Sequence, residues 1–320
     1  MTFYNGLVLS GGSIKIINTL GALQYAFDKD LVSGVKYYTG SSAGAIICYL
    51  LVIGYTPAEI IVDLCINEKL SHFEMDVRSM ANLTGAMSYS KIQEYLESKT
   101  IDRFGFLPTL QDLYDKTGKF LTAPTFNTTK NKLEYMNHLT HPEMPCLVAL
   151  RMSSSLPFIF EPYKYDFCEY VDGALGDYFP MSYTHNLIEE QEEKVGHIIG
   201  FCLTLAENSS DKLLDYIYKI MLIPIKRSLE RELNTIKELD HDIIQIHSNS
   251  HVLAFNVPTR EKLEMFSIGY QTTQKSLEFG EVIDIGVNPT VLASPCDIPK
   301  EVEDDEKVLE QSGDIDDLKE

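Results

Sequence analysis

The stretch Gly40-Ser41-Ser42-Ala43-Gly44 places two adjacent serines between two glycines. A serine hydroxyl can act as a nucleophile when a sharp turn between a strand and a helix holds it clear of both elements. Such a turn needs small residues two positions before and two positions after the serine. Only Ser42 has glycines, Gly40 and Gly44, at those positions. The pattern favours Ser42 as a nucleophile, although a tight turn with a surface serine fits the same spacing.

A nucleophilic serine needs a base that takes its proton. None of the eight histidines lies where a strand ends and a turn follows, and His197 lies inside an apolar strand pattern that favours a core residue. Asp172 follows a strand-prone aromatic stretch, and Gly173 permits an abrupt reversal of the backbone. A carboxylate with an ordinary pKa of about 3.9 is a weak base, and burial raises that pKa. Asp172 is therefore the candidate base, with an ordinary turn aspartate as the alternative.

Attack on an ester also creates an oxyanion, which needs hydrogen-bond donors fixed in advance. Gly11, Gly12 and Ser13 follow a short apolar run and precede a helical pattern. Their backbone amides, at the positive end of that helix, are candidate donors. An ordinary turn between a strand and a helix is the alternative. The nucleotide-binding patterns GxGxxG and GxxxxGK[ST] do not occur.

In this order, the three motifs resemble the patatin-like phospholipase family, which has a glycine-rich loop, a GxSxG turn and a distant D-G-[GA] motif. Two further stretches are similar to family segments: residues 120–127, which resemble the central strand, and residues 149–158, which resemble A-x-R-A-S-x-x-x-P. The resemblance covers roughly residues 4–205.

The resemblance implies a three-layer α/β/α fold with a mainly parallel central sheet. It implies a lipid acyl hydrolase that cleaves phospholipid or lysophospholipid esters with a Ser–Asp dyad, without a metal or other cofactor. By motif match, Ser42 is the nucleophile, Asp172 is the base, and the amides of Gly11, Gly12 and Ser13 hold the oxyanion. The implied partners are an acyl ester substrate and, transiently, a membrane or micelle surface.

The glycine loop departs from the family pattern G-G-G-x-[KR]-G at two positions. Ser13 replaces the third glycine, and Ile16 replaces the last one, whereas Lys15 is retained. A positive φ at Ser13 costs about 1–2 kcal/mol more than at glycine. Hence the alternative hypothesis is a catalytically impaired family member that binds a lipid or a protein partner. A peptidase or thioesterase would use the same chemistry in a different pocket.

Strands that alternate with helices favour an α/β fold with parallel strands. Thr56, Pro57 and Glu59 form a helix start with a capping residue, a proline at the first helical position and an acidic residue at the third. The predicted strands are 6–9, 35–39, 119–126, 146–149, 195–205 and 242–246. The predicted helices are 14–27, 43–53, 56–70, 90–98, 109–116, 209–239 with a break or kink at Pro224, and 260–277.

We expect an acyl hydrolase domain over residues 4–290, with the core motifs in 4–205 and a helical part in 206–290. The last residues, 295–320, are strongly acidic and favour a disordered tail. Aromatic and apolar residues in 66–120 could form a lid or a lipid-facing surface, with filling of the core as the alternative. These residues are Phe73, Met75, Met80, Leu83, Met87, Tyr89, Phe104 and Phe106.

The 320 residues carry a net charge of −20, which disfavours binding to nucleic acids and adsorption to acidic membranes by charge alone. The six cysteines are widely spaced without a CxxC pair, a usage typical of reduced thiols in a cytosolic compartment. The expected location is cytoplasmic, with peripheral association at membranes as a further possibility. The amino terminus lacks the features of a signal peptide, and the longest apolar run is too short to cross a bilayer.

Overall fold

The computed structural model describes residues 4–67, 85–191, 197–205, 213–248 and 256–279. The strands are β1 (Tyr4–Leu9), β2 (Tyr37–Gly40), β3 (Phe120–Asn127), β4 (Lys132–Met136), β5 (Tyr163–Tyr165), β6 (Cys168–Asp172), β7 (His197–Leu203) and β8 (His241–Ile246). The helices are α1 (Ile16–Asp28), α2 (Ala43–Val52), α3 (Pro57–Ile66), α4 (Ser90–Phe104), α5 (Leu110–Thr117), α6 (Cys146–Ser153), α7 (Met181–Glu190), α8 (Leu213–Thr235) and α9 (Thr259–Phe279).

The strands form one sheet with the order β5-β6-β3-β2-β1-β7-β8. The neighbours β3, β2, β1, β7 and β8 pair in parallel. The strands β4 and β6 each pair with β3 in the antiparallel sense, and β5 pairs with β6 in the same sense. The predicted α/β fold with a mainly parallel central sheet is confirmed. We call the antiparallel part, which comprises residues 123–136 and 163–172, the wing.

Both faces of the sheet are covered by helices, as a three-layer fold requires. Leu7 and Leu9 of β1 pack into one apolar core with α1, α2 and α6, whereas Val8 between them packs into a second core with α7 and α8. Successive side chains of a strand point to opposite faces, so the short apolar β1 contributes to both cores.

The predicted helix start at Thr56 is confirmed in atomic detail. The Thr56 hydroxyl accepts a hydrogen bond from the Glu59 amide, and the Glu59 carboxylate accepts one from the Thr56 amide, which is a complete capping box. The helix α3 ends at Ile66, before the predicted end at residue 70, and residues 68–70 lie outside the described part. The helix α8 continues through Pro224 without a break.

The prediction of a strand at residues 146–149 is wrong, because α6 occupies Cys146–Ser153. Every residue of α6 except Val148 is buried, and residues 146–150 form a continuously apolar run. A short, continuously apolar run has no period that distinguishes a buried strand from a buried helix. Tertiary packing decides here, and α6 lies behind the strand ends that carry the candidate site.

Within the described residues, no single helix has the length and hydropathy to cross a bilayer. The helices α2 and α3 reach those values only as a pair, bent by 119° at their junction.

Candidate functional site

The predicted nucleophile Ser42 lies in the turn between β2 and α2. Its backbone has φ 54° and ψ −123°, outside the regions that non-glycine residues prefer. This conformation costs about 1–3 kcal/mol and persists only where the surroundings enforce it. The Ser42 hydroxyl donates a hydrogen bond of 2.6 Å to Oδ2 of Asp172. The neighbouring Ser41 is completely buried, and its hydroxyl has no hydrogen-bond partner among the described residues.

The two glycines of the turn are required by close approach of the backbone. A Cβ atom on Gly40 would lie 2.4 Å from the carbonyl carbon of Gly44, and one on Gly44 would lie 2.6 Å from the carbonyl oxygen of Ser10. These contacts are to backbone atoms, which cannot rotate away as a side chain can. The strand β2 and the helix α2 can therefore meet at this angle only with glycine at both positions.

The predicted base Asp172 is the last residue of β6 and is fully buried. Its Oδ1 accepts a 2.8 Å hydrogen bond from the Ala174 amide, while its own amide donates to the carbonyl of Ser155 at 3.0 Å. A Cβ on Gly173 would lie 2.0 Å from the carbonyl oxygen of Pro124. The Asp-Gly pair thus allows β6 to end directly against β3.

Strand register explains why two residues so distant in sequence meet. Thr39 of β2 pairs with Thr122 of β3, and Asp172 of β6 pairs with Thr125. Because Thr125 follows Thr122 by three residues, Asp172 lies about 10 Å further than Thr39 toward the carboxyl end of β3. Ser42 follows Thr39 by the same number of residues, so the turn after β2 carries it to the level of the carboxylate.

Burial raises the pKa of Asp172 from 3.8 to about 7, and the hydrogen bonds from Ser42 and Ala174 oppose this rise. Both donors are neutral groups. A carboxyl with a pKa near neutrality accepts and returns a proton readily at physiological pH, as a general base must.

The glycine loop lies beside Ser42, and Ser13 has φ 49°. The Gly11 amide donates a 3.2 Å hydrogen bond to the carbonyl of Tyr178. This differs from the expectation for Gly11, because an amide bonded to a carbonyl of the fold is not available to an oxyanion. Among the described residues, no acceptor is bonded to the amide of Gly12 or Ser13. A Cβ on Gly12 would lie 2.2 Å from a side-chain carbon of Leu203.

An apolar pocket of about 170 Å³ opens beside the Ser42 hydroxyl. Its walls come from α1, α2, α3, α4 and residues 154–160. Ile16, which replaces the glycine of the family pattern, begins α1 and lines this pocket together with Ser13. Aliphatic and aromatic side chains predominate in the rest of the wall: Ile46, Ile47, Leu50, Ile60, Leu64 and Tyr95. The pocket fits a hydrocarbon chain better than a polar group.

Residues 151–155 support the turn from behind, a contribution that the sequence did not reveal. The Ser153 hydroxyl accepts a 3.1 Å hydrogen bond from the Ser42 amide. The buried Arg151 donates to the Ser155 hydroxyl at 2.7 Å and to the carbonyl of Glu161 at 3.1 Å. In the sequence, these residues stood out only by the similarity of 149–158 to a family segment, and that similarity did not indicate a contact with Ser42.

The six described histidines form no hydrogen bond with Ser42 or Asp172. His197, interpreted as a core residue, begins β7 and contacts Asp240 and Asp242. Within the described ranges, no group of three or more His, Cys, Asp or Glu residues could hold a metal ion.

The eight residues of the lid hypothesis for 66–120 fall partly within the described part of the chain. Phe73, Met75, Met80 and Leu83 lie outside the described residues. Met87, Tyr89 and Phe104 are buried, as the core alternative expected, and Phe106 is exposed. Tyr89 also lines the pocket. The predicted tail, 295–320, lies outside the described residues as well.

Known proteins resemble the part of the chain that carries Ser42 and Asp172. The family model for patatin-like phospholipases matches residues 7–185. A probable lipid hydrolase of Invertebrate iridescent virus 6 is 35% identical over 183 residues, which are 56% of this chain and 62% of the viral protein. The chain thus covers less than two thirds of that relative's length.

Two further matches extend over most of the chain. An uncharacterized protein of Acanthamoeba polyphaga mimivirus is 25% identical over 288 residues, which cover 85% of this chain and 93% of that protein. The crystal structure of VipD from Legionella pneumophila superposes with a TM-score of 0.49 at 15% identity, and the match covers 86% of this chain and 67% of VipD.

Proposed function

The chain belongs to the patatin-like phospholipase family, and from this premise we propose that it is a lipid acyl hydrolase with Ser42 as nucleophile and Asp172 as base. The observation that carries the proposal is the 2.6 Å hydrogen bond between the two side chains at the edge of an apolar pocket. We propose carboxylic esters of phospholipids or lysophospholipids as substrates, with the acyl chain in the pocket.

In the first step, Asp172 takes the proton of the Ser42 hydroxyl while Oγ attacks the ester carbonyl carbon. The carbonyl oxygen becomes an oxyanion, which the amides of Gly12 and Ser13 stabilise by hydrogen bonds. The tetrahedral intermediate collapses, the bond to the alcohol oxygen breaks, and Asp172 returns its proton to the departing alcohol. The acyl group is then bound to Ser42 as an ester.

In the second step, Asp172 accepts a proton from water, and the hydroxide attacks the acyl carbonyl. The products are a fatty acid and the free Ser42 hydroxyl, which regains the proton from Asp172. The same carboxyl group acts as base and then as acid in each half-reaction, so a pKa near 7 suits both directions of proton transfer.

Covalent labelling with a fluorophosphonate tests the nucleophile, and release of fatty acid from acyl esters tests turnover. We expect Ser42→Ala to abolish both, and Asp172→Asn to lower the hydrolysis rate by a factor of about 10³ or more. Ser41→Ala is the matched control, because this adjacent serine is buried and its hydroxyl has no hydrogen-bond partner among the described residues. Equal hydrolysis by the wild type and Ser42→Ala would contradict the proposal. Labelling without turnover would favour the binding-module alternative.

A further inference from the structure

The β5–β6 hairpin of the wing ends in an unusual turn. Tyr165 of β5 pairs with Cys168 of β6, so Asp166 and Phe167 form a two-residue loop. Both have positive φ, 46° and 60°, as a type I′ turn requires. Asn-Gly is preferred in such turns because the left-handed conformation is costly for larger residues. A phenylalanine in the second position must therefore have a cause outside the local backbone.

The side chain of Phe167 also has no cover, with a relative exposure of 102%. An aromatic ring held in water is unfavourable, since burying it would remove apolar surface from water. The turn thus combines a strained backbone with a fully hydrated phenylalanine, and neither feature stabilises the folded chain by itself. A partner that covers the ring would account for both.

The position of the hairpin relates it to the candidate site. The strand β6 runs from Cys168 to Asp172, and Tyr170 pairs with Asn127 near the carboxyl end of β3. Phe167 therefore lies five residues before Asp172, or about 16 Å beyond it in the direction of the carboxyl ends of the parallel strands. The ring projects from the same edge of the sheet that carries Ser42.

A second phenylalanine shows the same two features close to the pocket. Phe158 has φ 68° and is 43% exposed. It stands between Leu156 and Phe160, both of which line the pocket with Ser42. The edge of the sheet thus presents two exposed phenylalanines in left-handed conformations, one at the pocket and one at the end of the wing.

The charges around Phe167 differ from those of the whole chain. Lys130, Lys132 and Lys164 are exposed near the ends of the two wing hairpins, beside the exposed carboxylate of Asp166. Among the described residues, none of these lysines forms an ion pair. Glu134 and Glu169 are half-buried beside them, so this patch is close to neutral in a chain whose net charge is −20. An aromatic ring surrounded by lysines is complementary to the phosphate layer of a bilayer, where rings bury and ammonium groups meet phosphates.

We propose that Phe167, supported by Phe158 and the three lysines, inserts into the headgroup layer of a phospholipid bilayer and orients the pocket toward the lipid. This inference rests on the proposed function, because a lipid hydrolase has a use for such a contact. It adds the surface through which the chain meets its substrate. Insertion covers the ring and offsets the cost of the strained turn.

The absence of tryptophan from the chain makes the test direct. Phe167→Trp introduces one reporter, whose emission should shift to shorter wavelength with phosphatidylcholine vesicles and be quenched by brominated lipid chains. Ile268→Trp is the matched control, since Ile268 is 49% exposed on α9, which packs on α1 and on β8 at the opposite end of the sheet from β5. Emission from the tryptophan at 167 that vesicles leave unchanged would overturn the proposal.

Binding is measured separately from hydrolysis, in the Ser42→Ala background, by co-sedimentation with the same vesicles. Phe167→Gly should weaken binding about tenfold or more, because the variant has no aromatic ring to bury in the bilayer. The same change should leave the melting temperature equal or higher, because glycine tolerates a positive φ. In the Ser42-containing protein it should leave hydrolysis of a water-soluble ester unchanged. Undiminished vesicle binding by Phe167→Gly, or none by its parent, would refute the proposal even if hydrolysis is confirmed.

Discussion

The buried carboxyl of Asp172 should destabilise the folded protein in a pH-dependent way, and Asp172→Asn isolates this effect. The amide has nearly the shape of the carboxyl group. Its oxygen can accept from the Ala174 amide, and its nitrogen can donate to the Ser42 hydroxyl, so both hydrogen-bond positions remain occupied. The change therefore removes the ionisation and leaves the packing in place.

The magnitude follows from the raised pKa of Asp172, 3.8 ordinarily and about 7 in the fold. Below about pH 4 the carboxyl is neutral in both the folded and unfolded chain, and it costs nothing. Between about pH 4 and about pH 7 the carboxyl group is ionised in the unfolded chain and neutral in the folded one, so the free energy of unfolding falls by about 1.4 kcal/mol for each pH unit. Above pH 7 both states are ionised, and the loss is complete at about 4 kcal/mol. A raised carboxyl pKa thus favours folding at low pH and disfavours it at high pH.

Urea unfolding of the wild type and Asp172→Asn at about pH 5, 6 and 8 measures the difference in the free energy of unfolding. We expect the advantage of the variant to grow with pH and level off above neutrality, while other titrating groups cancel in the difference. Asp30→Asn is the control, because this aspartate is exposed and keeps its hydration. A difference that does not change with pH would refute the argument that burial perturbs the carboxyl.

Three other predictions concern rate, backbone contact and pocket size. If ionised Asp172 is the base, kcat/KM should fall about tenfold per pH unit below pH 7 in a pH–rate profile. Gly173→Ala should lower the free energy of unfolding by about 3 kcal/mol or more in urea, because its Cβ would meet the carbonyl oxygen of Pro124 at 2.0 Å. Gly54→Ala is the control: Gly54 has φ 99° and open space around it, so the loss should be about 1 kcal/mol. Ile16→Ala should shift preference toward longer acyl esters, with kcat/KM rising about fourfold for each added methylene that the pocket accepts.

Features fixed by short-range chemistry could be predicted from the sequence. The spacing of Gly40 and Gly44 around Ser42 reflects a backbone contact that no other residue permits, so three letters were enough to indicate the turn. The capping box at Thr56 is likewise contained within four residues. The proximity of Ser42 and Asp172 depends on strand register, which the sequence does not contain; there the prediction came from the family resemblance.

Features decided by packing could not be predicted. Residues 146–150 of α6 are continuously apolar, so nothing local distinguishes their helix from a strand. The hydrogen bond of the Gly11 amide depends on the position of Tyr178, far along the chain. The β5–β6 hairpin was not predicted because Asp166 and Phe167 occupy positions where Asn-Gly would have signalled a turn.

The site collects several unfavourable features, and the backbone contacts around it explain how they persist. Ser13 and Ser42 have positive φ angles, and no cation among the described residues contacts the buried carboxyl group of Asp172. Main-chain contact at Gly44 joins the Ser42 turn to the end of β1 before Ser13, and main-chain contact at Gly173 joins the Asp172 segment to β3, so no side chain can yield at either point. The hydrogen bond between Ser42 and Asp172 therefore follows from the positions of the strand ends and does not create them. Because the backbone fixes the carboxyl group independently of the hydroxyl, the pair can exchange a proton and an acyl group without losing its alignment.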